Sequence, residues 1–466
     1  MTEELTQLSA VELVRLMRAR EVSPVEVVEA HLRRIEALNG RLNAVVTLAP
    51  DALECARRAE SRLLRRGERV GALEGLPLTV KDTIETAALR TTSGTRARAG
   101  FVPERDAEAV ARLRAAGAIV LGKTNTSELA LDYTADNPVF GRTNNPHDER
   151  RTSGGSSGGC AAAVAASMSA ASLGSDLVGS IRIPAHFCGV VGLKPTAGSI
   201  PGGGHCPPMR GAFSLAASLG PIARRVEDVA LLYEVLAGER AEFDVEKDAE
   251  GASEEVDVRG RRVAWYAHDG VVKVSDETRG AVERAARALG DAGLEVVEER
   301  PPEVEHGARL WLELFAPATR AFLRSMFEGR ESEGGEVVRM MLERGRRAEA
   351  AGLEDYLRAW TERDERRERL LEWMKQTPLL IAPVGAVAAF EHGARKVSSG
   401  DETLSVFRAF SYAQTFNVYD LPAVSVPAGR TREGLPVGVQ IVGRPRAERE
   451  VLAAARIVER KTVKQF

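Results

Sequence analysis

The chain has 466 residues, 44% of them hydrophobic and 28% charged, with a formal net charge of −3. That balance supplies a sizeable core, excludes a disordered polymer, and leaves no basic arm for nucleic acid or a membrane surface. No apolar stretch approaches the ~18 residues of a membrane span and no secretion-type leader is visible, so a small-molecule partner and a cytoplasmic site of action are expected.

Ser9 with Glu12, and Ser23-Pro24 with Glu26, are capping boxes that open two helices, the second with proline at its first position. Asn39-Gly40 reads as the stop of the second, which predicts an N-terminal helical hairpin over 8–40. A helix follows over 52–66, after which Leu76 to Asp82 reads as a short buried strand delivering Lys81 at its end. Next come a helix over 107–116, a strand over 118–121, a buried apolar helix over 160–173, a strand over 190–193 and a helix over 226–236. Residues 238–260 are acidic, polar and glycine-punctuated, the marks of a surface loop. Alternation resumes with a strand over 262–266, a helix over 277–292 and a strand over 295–299. The stretch 305–375 is mostly helical, its charged run Glu362 to Arg369 reads as a solvated helix face, and short strands return at 379–383 and 423–427. This alternation predicts a sheet covered by helices.

Four cysteines, Cys55, Cys160, Cys188 and Cys206, show no paired spacing and gather no histidines, so reduced thiols and no metal are expected. Gly117 to Thr124 matches the phosphate-loop expression letter for letter, but a helix precedes it and its Ala-Ile-Val-Leu filling favours a strand with a polar end.

Two glycine-rich serine turns stand out: Gly154 to Gly159, holding Ser156, and Leu177-Val178-Gly179 before Ser180. The first offers approachable backbone and N–H donors at a helix start. The successive N–H groups of Leu177, Val178, Gly179 and Ser180 suit a developing oxyanion. Neither serine has a G-x-S-x-G elbow, and no histidine is well placed as its base: His186 sits in an apolar stretch, His147 and His205 in loops. A lysine serves as base when burial keeps its amine neutral, and Lys81 suits that role. The bland alternative is two structural turns and an ordinary lysine closing a strand.

At these residues the chain resembles the amidase signature family. The resemblance runs through Gly75 to Asp82, Gly122 to Glu128, Asn137 to Pro146, Gly154 to Gly159, Gly174 to Arg182 and Cys188 to Pro195, then Leu421 to Pro427 and Gly434 to Gln440. It is weakest over residues 300–400. It implies a single large α/β/α domain on a mixed, twisted central sheet, with a signature core over about 74–225 and a variable, mostly helical substrate side over about 300–400, which is expected to line the pocket together with the loop Gly202 to Pro208. It further implies hydrolysis of a carboxamide through a serine acyl-enzyme, without metal or cofactor. Carried over by position, Ser180 is the nucleophile, Lys81 the base, and Ser156 the bridging serine reached through a cis peptide after Gly155. The N–H groups of residues 177–180 form the oxyanion hole, and Ser157, Ser175, Asp176 and Arg182 support it. Val178 departs from the pattern, standing where glycine is usual, so its backbone must avoid positive φ and its side chain is expected to overhang the reacting carbon. Two further readings stand beside an amidase that works alone. One is the glutamine-hydrolysing A subunit of a tRNA-dependent amidotransferase, against which Ile183 replaces the glutamine usual in that branch. The other is a non-catalytic binder on the same fold, its turn spoiled by Val178. Oligomeric state is open, a homodimer included.

Overall fold

In the computed structural model, described for residues 2–65, 70–239, 256–347 and 352–462, eleven strands form one mixed sheet. They are β1 (Val45–Leu48), β2 (Pro77–Lys81), β3 (Ile119–Thr124), β4 (Ala171–Asp176), β5 (Val191–Lys194), β6 (Ser218–Ala223), β7 (Arg262–Trp265), β8 (Glu295–Glu298), β9 (Leu379–Pro383), β10 (Ala423–Arg430) and β11 (Pro436–Gly443). Their spatial order is β1-β3-β2-β4-β6-β5-β10-β11-β9-β7-β8. β2 runs parallel to both β3 and β4, and β7 to both β8 and β9, while the strands between β4 and β9 pair antiparallel.

Successive side chains of a strand point to opposite faces, and here both faces are covered, which is why β9 reads Leu-Leu-Ile-Ala with no polar alternation. Leu379 and Ile381 join one apolar cluster under the helices Asp276–Asp291 and Glu448–Thr462. Leu380 and Ala382 join the other, under Gly307–Phe327 and Ser411–Val418. The expected α/β fold with a mixed sheet between helices is what the chain adopts.

Both capping boxes form, with Ser9 accepting from Glu12 N and Ser23 from Glu26 N at 3.1 Å each. The second helix, however, runs through Asn39-Gly40 to Leu42 and ends on Asn43 at φ 50°. Asn39 keeps helical backbone because its side chain is used elsewhere: it donates to Val45 O at 2.7 Å and accepts from Ala44 N and Val45 N.

The segment 160–173 is corrected more deeply. Its helix, Gly158–Ala165, stops early, Ser167 turns at φ 57°, and from Ala171 the chain is strand. An alanine-rich run carries no periodicity that separates a buried helix from a buried strand. β3 extends to Thr124, so the phosphate-loop look-alike is a strand whose Lys123 points inward to Ile84 O, Thr86 and Thr91. The charged run Glu362 to Arg369 is only partly solvated. Arg363 is buried and donates to Val418 O at 2.7 Å, and Arg366 and Arg369 both pair with Glu303. Residue 66 of the predicted third helix and residues 240–255 of the predicted loop lie outside the described residues.

Candidate active site

The parallel pairing of β2 with β3 and β4 carries Lys81 to the end of an apolar strand with no solvent contact. Its Nζ lies 2.6 Å from Ser156 Oγ and 2.9 Å from Ser175 Oγ. Burial pushes the Lys81 ammonium down to about 7, with Cys160 and Asp176 pulling weakly the other way. Among the described residues no carboxylate pairs with it.

Ser156 is presented by a turn whose Gly155–Ser156 peptide is cis, as the resemblance implies. Glycine is required just before it, because a Cβ at Gly155 would lie 2.4 Å from Thr134 N and O. Ser157 then joins the two serine turns. Its N–H donates to Ser180 O at 3.1 Å, and its hydroxyl donates to Ser175 O at 3.2 Å and accepts from Ser175 N at 3.4 Å.

The turn after β4 is built on a buried ion pair. Asp176 accepts from Arg182 Nε and Nη2 at 3.1 Å each, from Asn417 Nδ2 at 3.0 Å, and from Gly179 N and Ile181 N at 2.8 and 3.1 Å. Burial opposes ionisation there, but the Arg182 guanidinium and these donors hold the carboxyl well below its usual range. Arg182 is itself satisfied by Gln440 Oε1 at 2.7 Å and Ala413 O at 2.9 Å. Gly179, at φ 98°, takes the left-handed position in the turn, and its N–H is committed to Asp176. Of the four donors expected at this turn, Gly179 therefore aligns the loop. Val178 stays out of positive φ, and its half-buried side chain packs into the apolar cluster of the Ser411–Val418 face. It is not in the wall of the cavity that reaches the serines.

Ser156, Ser175 and Ser180 open onto one cavity, walled by Leu129, Leu131, Leu177, Met209, Phe213 and Phe322 among others. The residues Ser156 and Ser180 meet across this space with no hydrogen bond joining their hydroxyls. Phe322 and Thr319 reach it from the helix Gly307–Phe327, which also fastens the turn through Trp311 Nε1, donating to Leu177 O at 3.0 Å.

Several of these partners carry no mark in the sequence. Asn417, Gln440 and Trp311 act across more than 130 residues of chain, so no local spacing reveals them. His205 reads as a loop residue, yet its Nε2 lies 2.9 Å from Ser175 Oγ. The glycine, proline and cysteine around it are the available signal that the loop approaches something closely.

Comparison with known proteins agrees with the geometry. The family model "Amidase" matches residues 26–452. The A subunit of the Glutamyl-tRNA(Gln) amidotransferase of Heliobacterium modesticaldum is 34% identical over 492 residues, covering 97% of this chain and 96% of that one. The acylamidase of Rhodococcus erythropolis is also 34% identical, covering 98% and 96%. A crystal structure of an amidase superposes with TM-score 0.86 at 32% identity, over 98% of this chain and 100% of the other. A match of this extent, over a sheet and serine turns of this form, means that the chain belongs to the amidase signature family.

Proposed function

We propose that the chain hydrolyses a carboxamide to its acid and an amine or ammonia through a serine acyl-enzyme, with Lys81 as base, Ser156 as relay and Ser180 as nucleophile. The observation that carries this reading is Lys81 Nζ, 2.6 Å from Ser156 Oγ, in a site whose burial brings its pKa to about 7. A neutral Lys81 takes the proton of Ser156 while Ser156 takes that of Ser180, and Ser180 Oγ bonds to the amide carbon. The resulting oxyanion is met by the N–H groups of Leu177, Val178 and Ser180, with Gly179 committed to Asp176. The C–N bond then breaks, the proton returns along the same path to the leaving nitrogen, and water repeats the sequence on the ester. The Ser156–Ser180 link closes on binding, as hydrogen bonds of this kind tighten once the reacting group is in place.

The cavity favours neutral, apolar acyl groups and an enzyme that works alone. Its described wall contains no lysine or arginine to meet a free carboxylate, and its one carboxylate, Asp176, is already held by Arg182. Glutamine brings both an ammonium and a carboxylate, for which this wall has no partners. The amidotransferase chain found with the relatives keeps the second reading in view.

The test is to purify the chain alone and follow amine or ammonia release from aryl, aliphatic and amino-acid amides, with a fluorophosphonate used to label the serine. Hydrolysis of apolar amides and an adduct on Ser180 are expected. Turnover of glutamine only with added partner chains would replace this reading with that of an amidotransferase component. A folded protein without an adduct would favour a binding protein.

A further inference from the structure

His205 lies outside the segments that carry the family resemblance, and its two ring nitrogens face partners of different kind. Nδ1 is 2.6 Å from Pro207 O, and a carbonyl oxygen only accepts, so Nδ1 carries a hydrogen. Burial, with Lys81 and Lys123 adding repulsion, holds the ring neutral by pushing its pKa down to about 3. A neutral ring protonated at Nδ1 has a bare Nε2, so across the 2.9 Å contact the Ser175 hydroxyl donates and the ring accepts. With its one hydrogen spent, Ser175 can only accept from Lys81 Nζ at 2.9 Å.

We infer that His205 is a positioning residue: through Ser175 it sets the direction of the hydrogen bonds around Lys81, so that the amine lone pair faces Ser156 rather than Ser175. The inference rests on Lys81 being the base. Without an acceptor at position 205, the Ser175 hydroxyl is free to turn its hydrogen toward Lys81 and compete with Ser156 for the same lone pair. The backbone holds the ring in place. Residue 205 forms an antiparallel bridge with Ile84, flanked by Glu85 N to Gly204 O at 2.8 Å and Cys206 N to Thr83 O at 2.9 Å. The segment is thus a short rail beside the end of β2, a few residues from Lys81 itself.

The experiment compares His205→Leu, which removes the acceptor while keeping bulk, with His205→Gln, whose carbonyl oxygen can take the place of Nε2. His205→Leu is expected to lower kcat by about tenfold to a hundredfold with KM nearly unchanged, and His205→Gln to recover most of that loss. In a Ser175→Ala background His205→Leu is expected to cost nothing further, since the two act through one hydrogen bond. In the wild-type protein, 15N NMR of labelled histidine is expected to show a protonated Nδ1 and a bare Nε2. Wild-type kcat in His205→Leu, equal losses in the Leu and Gln variants, a full further loss in the Ser175→Ala background, or a protonated Nε2 would each overturn the inference. Lys81→Met separates the two levels. If it retains turnover, the base assignment falls and this inference with it. If it is inactive while His205→Leu is normal, only the inference falls.

Discussion

Two cations lie buried near the serine turns, and they meet opposite environments. Arg182 faces the Asp176 carboxylate and three side-chain or backbone oxygens besides, so its guanidinium is fully partnered and ties the turn between them. Among the described residues Lys81 meets two hydroxyls and is paired with no carboxylate, so burial works against its charge and its pKa drops to about 7. Equal burial yields a structural post in one place and the proposed base in the other, and the difference lies in the partners supplied.

The comparison breaks most sharply at the lysine. Lys81→Met, which keeps the bulk and removes the amine, is expected to cut turnover by about three orders of magnitude or more, with the melting temperature unchanged or raised. A variant that unfolds, or one that retains near-normal rates at neutral pH, would make Lys81 a second structural post. The opposite result is expected on the other side. Asp176→Asn strands a buried guanidinium and is expected to cost about 3–5 kcal/mol of stability, measured by denaturant unfolding. A small stability change there would show that Asn417 and Gln440 suffice to hold Arg182.

The third expectation is graded. With Lys81 as the proposed base the working form is the neutral amine, and burial lowers its pKa to about 7, so activity is expected above that pH and its loss below it. kcat/KM should fall about tenfold per pH unit on the acid side and level off above. A pH–rate profile that stays flat well into the acid range would mean that the titrating base is not this lysine.

Much of this arrangement is legible in the chain. The two serine turns and a lysine ending an apolar strand announce themselves by local composition, and the strand β2 forms as its Leu-Pro-Leu-Thr-Val pattern predicts. The alternation of helix and strand points to the fold class. The transition from helix to strand between Ala165 and Ala171 is hidden, because alanine is at home in both once buried. The second halves of the contacts are hidden as well. Arg182 and Asp176 are six residues apart and readable together, but Asn417 and Gln440 arrive from more than 230 residues further along the chain, on the helix Ser411–Val418 and on β11. Val178 reads in sequence as a threat to the turn. In the fold the positive φ falls on Gly179 instead, and the valine side chain leaves for the apolar cluster behind. His205 is legible in part: its glycine- and proline-rich loop is expected at the pocket and lies there, but nothing local signals the bridge to Ile84 or the contact with Ser175.

The cavity wall has an origin different from that of the serines it surrounds. Lys81, Ser175 and Asp176 ride on β2 and β4 of the sheet, whereas Met209, Phe213 and Phe322 come from the connection before β6 and from a helix laid over the sheet. Substitutions in those wall residues are expected to leave the sheet and its turns intact, so that under the proposed function the range of acyl groups admitted can change while the chemistry stays where it is. That separation fits the range of names among relatives of equal identity, one a tRNA amidotransferase subunit and one an acylamidase. It also marks the wall, rather than the turns, as the place to begin when redesigning what this protein accepts.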